Sequence, residues 1–250
     1  MKVLTHSLAA ALTLGVVALS LDLFRLVGIV LYTEQFLAGL LALSMPLLFL
    51  HVPASGGRGV RKGPVPWYDL LLALVSCGLA IFLMVRFPDY SELVSRRPLD
   101  GLIIAAMLIL LFLEGLRRTT GWALVIVTTS FFVLAMIGSQ LPGEMQARSI
   151  PFPRLTYYAI WDSSAALGLA LKIVSSVVVI YSLFGNALFK SGGSTFFTDI
   201  AMALMGKYRG GPAKIAILGS SLFGTISGNV VSNVLTVGVV TIPLMKRAGF

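Results

Sequence analysis

The residues of this chain best suited to handling charge lie in its last quarter, between Pro212 and Arg247. Pro212 suits a first helical turn, and it opens an apolar run that continues to Ile226. As a helix rising 1.5 Å per residue, that run is about 22 Å long, short of the roughly 30 Å hydrocarbon core of a bilayer. Ser227-Gly228-Asn229 interrupts it. A second apolar run of similar length, Val230 to Leu244, contains Pro243 and ends against Lys246-Arg247. Two short helices with a polar break between them and basic residues at both outer ends read as a re-entrant hairpin, entering from the cytoplasm and turning inside the membrane. Non-helical backbone survives at that depth only where protein or a water-filled cavity satisfies its polar groups. The second helix would aim its free N–H groups, near Ser227 to Ser232, at that cavity, where the helix dipole favours an anion. The first would end in free carbonyls near Gly224 to Ile226, which suit a cation such as sodium. Ser227, Asn229, Ser232, Asn233 and Thr236 add oxygen ligands and donors, so the pattern is that of a coupled carboxylate site with sodium expected at Gly224, Ser227, Asn229 and Asn233. Two other readings of the same residues remain open. Gly219, Ser220, Ser221, Gly224 and Gly228 also form a small-residue stripe suited to close helix packing, and residues 213–245 also fit one continuous, kinked span.

A hairpin inside a bilayer needs helices around it, and the composition supplies them. Of 250 residues, 57% are hydrophobic and 12% charged, about half the charged share of a soluble domain. The mean hydropathy is +0.94. A helix needs about 20 apolar residues to cross the core. Six spans are expected: Leu8 to Val30, Phe36 to His51, Trp67 to Arg86, Leu99 to Leu116, Trp122 to Leu141 and Ser163 to Phe184. The second is short. Trp67, Tyr68 and Trp122 stand at span ends, where amphipathic rings prefer the headgroup level. The apolar character of the first twenty residues continues past Ser20, and Leu19-Ser20-Leu21-Asp22 is a poor cleavage site, so this stretch reads as a membrane helix and not a removed signal.

Loop charge sets the orientation. Arg58, Arg61 and Lys62 follow the second span with no acid in the loop, Arg117 and Arg118 close the fourth, and Lys190, Lys207, Arg209 and Lys214 follow the sixth against Asp199 alone. The intervening loops are balanced: Arg86, Arg96 and Arg97 against Asp89, Glu92 and Asp100, and Arg148 and Arg154 against Glu144 and Asp162. This alternation places the N-terminus and the basic loops in the cytoplasm. After Gly192-Gly193, Ser194 or Thr195 is positioned to cap an amphipathic helix, Phe196 to Lys207, too short to span and therefore interfacial. Gly210 and Gly211 lie beyond its end. The expected architecture is all-α: a polytopic membrane protein of about six transmembrane helices, an interfacial helix and a re-entrant helical hairpin. Leu141 to Pro153, with three prolines, is a candidate boundary between an accessory helical region and the remainder of the chain.

The ordered series Gly192-Gly193, Phe196-Phe197-x-Asp199-Ile-Ala-x-Ala-Leu, Gly206-x-x-Arg209-Gly-Gly-Pro-Ala-Lys214, Leu222-Phe-Gly-Thr-Ile-Ser-Gly228, Asn233 and Ile242-Pro-Leu-Met-Lys-Arg-x-Gly249 resembles the large membrane subunit of tripartite ATP-independent periplasmic (TRAP) transporters. Upstream, Leu113-Glu114-x-x-Arg117-Arg118-x-x-Gly121-Trp122, with Trp67-Tyr-Asp69 and Leu141-Pro-Gly143, resembles the fused permease type that partners TAXI-class binding proteins. The resemblance implies residues 1–119 as helices like the small subunit and 120–250 as the first part of the large-subunit transport domain. It implies an elevator-type importer of the bacterial inner membrane, coupled to Na+ or H+, to which a periplasmic solute-binding protein delivers a carboxylate. It matches Gly224, Ser227, Gly228, Asn233 and Gly238 to the first hairpin of that domain. Asn229 stands where the family commonly has a second Ser, Ser232 precedes Asn233 where it has Ala, and Val237 precedes Gly238 where it has Thr. The family continues into a second, inverted half, so the resemblance also implies a fragment that needs its C-terminal half to transport.

Other function classes lack their residues. The net charge of +9 sits in short clusters between apolar runs, which fits membrane loops and not nucleic-acid binding. Gly206-Lys207 is followed by Tyr208 with no Gly five residues before it, so it is not a P-loop. The serines of the 219–232 region have no His or Asp beside them, so no nucleophile–base pair is visible and no enzyme or cofactor is expected. His6 and His51 lack metal-ligand spacing. Cys77 is alone and reads as a small buried hydrophobe. Asp22 and Arg25 are spaced to pair on the first helix, Glu114 to pair with Arg117 or Arg118. Lys172, inside the sixth span, is read as pairing with a neighbour or snorkelling. The rival to a permease is a non-transporting membrane scaffold that assembles with partner subunits.

Overall fold

So apolar a chain must satisfy its backbone polar groups within each segment, and helices do this. A computed structural model describes residues 2–21, 23, 28, 31–54, 61, 63–140, 146–227 and 230–249, and among the described residues there is no strand. Among the described residues five helices are long and apolar enough to cross a membrane: Thr33–His51, Trp67–Ser95, Leu99–Thr120, Trp122–Gln140 and Leu169–Leu188. The chain forms two compact units, Met1–Ser176 and Val177–Phe250.

The first unit holds α1 (Lys2–Ser20), α2 (Thr33–His51), α3 (Trp67–Glu92), α4 (Leu99–Thr120), α5 (Trp122–Ile137), α6 (Phe152–Trp161) and the short α7 (Leu169–Ile173). The expected first span, Leu8 to Val30, is helical as far as Ser20; the Asp22–Arg25 pair lies outside the described residues. α2, expected to be a short span, is a full 19 residues. It is also well enclosed: Phe49, Met45 and Leu50 pack with Ala73 of α3 and Leu111 of α4. α5 has no buried residue, and Ile126 and Phe131 are more than 60% exposed. An apolar exterior of this kind is stable against lipid and costly against water.

Prolines within these helices open specific gaps. Pro88 has no N–H, so the carbonyl of Met84, four residues earlier, loses its helical partner. Gln35 Nε2 donates to that carbonyl at 3.0 Å, and Gln35 Oε1 accepts from Tyr32 N at 3.1 Å, so one side chain fastens α2 to α3 and caps α2. Gly121 separates α4 from α5 with φ of +87°, a conformation open to glycine and costly to other residues.

At one end of α3 and α4 the fastening is aromatic. Tyr90 stacks on Trp161 with ring centroids 4.6 Å apart. Trp161 Nε1 donates to Gly101 O at 2.9 Å, Tyr157 Oη donates to Tyr90 O at 2.9 Å, and Tyr90 Oη donates to the Asp100 carboxylate. Burial pushes the Tyr157 phenol up to about 12, so it remains a donor at physiological pH. A Cβ at Gly101 would lie 2.7 Å from the Tyr90 ring and 2.8 Å from the Tyr157 ring. This is why α4 begins with glycine in its first turn.

At the other end of α3 and α4 the fastening is ionic. Asp69, fully buried, accepts from Arg118 Nη1 at 2.7 Å and from Arg61 Nη2. Glu114 accepts from Arg117 Nε at 2.7 Å and from Arg118 Nε at 2.7 Å, so it pairs with both arginines and not with one. Arg117 also donates to Ala54 O at 3.0 Å and lies 5.7 Å from the Trp122 ring; Arg118 lies 5.1 Å from the Phe49 ring. Arg61, which follows α2, is therefore held by an acid on α3.

Two boundaries differ from expectation. The sixth span starts at Leu169 and not at Ser163. Asp162 Oδ1 accepts from Ser164 N at 2.8 Å, and Gly168 N donates to Ala165 O at 2.9 Å, so the chain turns through 162–168 before the helix begins. The helix α6, with Pro153 in its opening turn, precedes that turn and was not expected. Lys172 is exposed on α7, and a π-helical turn, Val174–Val178, follows.

The second unit holds α8 (Val179–Lys190), α9 (Gly193–Met205), α10 (Gly211–Ser227) and α11 (Val230–Arg247). α9 corresponds to the expected interfacial helix but starts earlier. Its N-cap is Gly192, at φ of +89°, in place of the expected Ser194 or Thr195. A left-handed residue two positions beyond the end of α8 turns the chain sharply, and the new helix follows at once.

Candidate functional site

Only positions 228 and 229 separate α10 from α11, and the packing shows which way the chain runs between them. Gly219 sits midway along α10. A Cβ there would lie 3.7 Å from Val237 Cγ1, midway along α11, and 3.7 Å from Ala201 Cβ on α9. In one unbroken helix, positions 219 and 237 would be about 27 Å apart. The two helices therefore fold back on each other as an antiparallel hairpin, and the continuous, kinked span is excluded. Gly219 does serve close packing, as the small-residue reading holds, but it does so between the arms of the hairpin.

Three helices share the core of this unit. Ile215 and Phe223 on α10, Val237 and Thr241 on α11 and Thr198 and Ala201 on α9 are all buried. Thr241 Oγ1 donates back to Val237 O at 2.8 Å, which satisfies its hydroxyl within the helix. Thr225 Oγ1 does the same with Leu222 O at 2.8 Å near the end of α10. The arms are longer than the sequence implied. α10 has 17 residues and α11 has 18, because α10 begins at Gly211 and α11 runs through Pro243 to Arg247. Their lengths are about 25 and 27 Å.

The hairpin orders the candidate residues along its axis. The last four carbonyls of one helix and the first four N–H groups of the next have no partner within their own helices, and here the two sets meet at the same end. Gly224, half-buried, lies one turn before the end of α10, and Ser227 is its last residue. Gly228 and Asn229 lie outside the described residues. Ser232 and Asn233 fall in the first turn of α11 and Thr236 in the second; the side chains of 226–236 are likewise outside the description. Gly238, half-buried, is about 12 Å along α11 from its start. A Cβ there would meet Ile242 Cδ1 at 3.4 Å, a neighbour on its own helix. The fold thus gathers Gly224, Ser227, Ser232 and Asn233 at the tip and sets Thr236 and Gly238 progressively further down one arm.

The opposite end of the hairpin is basic. Lys246 and Arg247 are exposed in the last turn of α11. Lys214, in the first turn of α10, places Nζ 5.4 Å from the Tyr208 ring, and Lys207 places Nζ 5.8 Å from the same ring. Sequence reasoning treated these lysines as loop charge and passed over Tyr208; cations on both sides of it in sequence are the signal that marks it. His51 Nδ1 lies 3.0 Å from Leu47 O, and among the described residues no three His, Cys, Asp or Glu side chains gather as a metal centre.

Comparison with known proteins bears on residues 104–250, which match the family model described as "Tripartite ATP-independent periplasmic transporter, DctM component". A Haemophilus influenzae protein named "Putative TRAP transporter large permease protein" is 25% identical over 130 residues, 49% of this chain and 31% of the relative. The Sinorhizobium fredii protein y4mL, described as uncharacterized, is 26% identical over 147 residues, 59% of this chain and 30% of the relative. The Salmonella typhimurium protein YgiK, also described as uncharacterized, is 33% identical over 73 residues, 29% of this chain and 17% of the relative. The matched stretches thus span about a third or less of these relatives. No solved structure is a significant match.

Proposed function

We propose a role in solute import from one premise: this chain belongs to the family of the DctM component of tripartite ATP-independent periplasmic transporters. It is a multi-pass membrane protein and a permease component of that transporter class. In the proposed mechanism the hairpin of α10 and α11 is re-entrant, and its tip holds part of the site for a carboxylate-type organic anion and its coupling ion. The N–H groups that open α11, with Ser232, Asn233 and Thr236, favour the anion. The carbonyls that close α10 near Gly224 and Ser227, with the Asn229 and Asn233 side chains, favour a small cation, Na+ with H+ as the other candidate. Gly238 joins this set through the family resemblance alone.

The observation that supports this reading is the contact of Gly219 with Val237, because it requires the two helix ends to meet at one place. Residues 1–119 act as small-subunit-like helices that brace the transport domain of 120–250. A periplasmic solute-binding protein delivers the substrate, the chain lies in the bacterial inner membrane with its N-terminus cytoplasmic, and no catalytic step is involved.

The test is uptake of labelled organic acids by cells expressing the permease with its binding protein, with and without a sodium gradient. Asn229→Ala and Asn233→Ala are expected to abolish uptake while membrane assembly stays normal. Normal uptake by both variants contradicts the site. Loss of assembly in both supports the second reading, a non-transporting scaffold that assembles with partner subunits, for which the enclosed helix α2 and the ionic fastening of α3 and α4 speak.

A further inference from the structure

The turn between α9 and α10 carries Lys207 and Arg209, the first turn of α10 adds Lys214, and no acid lies among them. Among the described residues every carboxylate–cation pair lies between Arg61 and Arg118, so neither lysine is neutralised. Both ammonium groups instead approach one ring, Tyr208, which is 52% exposed. Two unneutralised ammonium groups that share one ring favour an anion near them. Beside this charge is a groove of about 430 Å³ between α9 and α10, lined by Met205, Ile217, Leu218 and Ser221 as well as Lys214. Ile217 is 69% exposed. From Lys214 to Ser221 the groove follows α10 for about 10 Å. One end is cationic and the rest is chiefly apolar.

A soluble anion uses only the cationic end of such a groove. A molecule with an anionic head and a hydrocarbon tail uses all of it. We propose that this groove binds an anionic phospholipid, its phosphate between Lys207 and Lys214 and the start of one acyl chain along Met205, Ile217 and Leu218. The Tyr208 ring fits this placement, since tyrosine prefers the headgroup level of a membrane. Lipid bound there holds the α9–α10 turn, and through it the base of the hairpin, at the membrane surface. The inference needs only that the chain is a membrane protein, and it stands apart from the carboxylate site at the other end of the hairpin.

The test is native mass spectrometry of the full chain titrated with dioleoyl phosphatidylglycerol and, separately, with dioleoyl phosphatidylcholine. The wild type is expected to bind phosphatidylglycerol more tightly. Lys207→Gln with Lys214→Gln is expected to weaken that binding about thirtyfold, each basic residue at an anionic surface contributing about fivefold. Lys207→Arg with Lys214→Arg retains it. Lys190→Gln with Arg148→Gln, which removes the same charge elsewhere, leaves it unchanged. Ile217→Ser weakens it with all cations in place, and inorganic phosphate at equal concentration does not displace the lipid. Equal binding of the two lipids overturns the proposal, as does equal weakening by the two Gln pairs or displacement by inorganic phosphate.

Discussion

Asp69 shows how much a single side chain does here. Fully buried, it is held by Arg118 and Arg61, from α4 and the loop after α2. Removing one partner of such a pair leaves the other charge buried and uncompensated, at a cost of about 3–5 kcal/mol. Asp69→Leu is therefore expected to lower the midpoint of unfolding in detergent sharply. Exposed Asp89, paired with Arg86 at the protein surface, is the comparison; Asp89→Leu is expected to change stability little. Gln35 gives a second, milder case. Gln35→Leu leaves the Met84 carbonyl without a partner, a cost of about 1–3 kcal/mol, and the double variant Gln35→Leu with Pro88→Ala recovers part of it by restoring a helical donor. The local half of this chemistry was legible in the sequence, since Glu114 is spaced three and four residues from Arg117 and Arg118. The Asp69–Arg118 pair was not, because those residues are 49 positions apart and spacing carries no information across helices. The Gln35–Met84 bond could be sought only once Pro88 was known to lie inside a helix.

At the scale of elements, most helices could be read from apolar length, and the hairpin could be read as one of two possibilities. Ser227-Gly228-Asn229 marks a break, but a break alone does not say whether the chain doubles back; the packing of Gly219 against Val237 does. The turn through 162–168 was missed because it depends on a hydrogen bond from Ser164 N to the Asp162 carboxylate inside an otherwise apolar stretch. The hairpin predicts a specific cross-link. With Cys77 replaced by Ser, Gly219→Cys and Val237→Cys are expected to form an internal disulfide on mild oxidation, seen as linked peptides after digestion. Gly219→Cys with Leu244→Cys, on the same two helices but further along α11, is expected to remain reduced. Gly101→Ala tests the aromatic fastening. Its Cβ would press on two rings at under 3 Å, and overpacking of this kind costs about 1–3 kcal/mol, read as a lower unfolding midpoint with helix content retained.

At the scale of the molecule, charge asymmetry and the hairpin make a single topological statement. The basic groups Arg61, Arg117 and Arg118 cluster at one end of α3 and α4, and Asp89, Arg97 and Asp100 flank the other. A reporter active only in the periplasm is expected to be active when fused after Ser95 and silent when fused after Thr120. The hairpin adds that the chain leaves the membrane on the side from which it entered. This is tested most directly by Arg209→Cys and Arg247→Cys, both exposed positions flanking the two arms, each made in a Cys77→Ser background and treated with a membrane-impermeant thiol reagent in intact cells and in inverted vesicles. The account predicts that both label in inverted vesicles and neither labels in intact cells. Labelling of the two positions from opposite faces would mean that residues 210–246 cross the bilayer once, and the proposed site would have no tip to occupy.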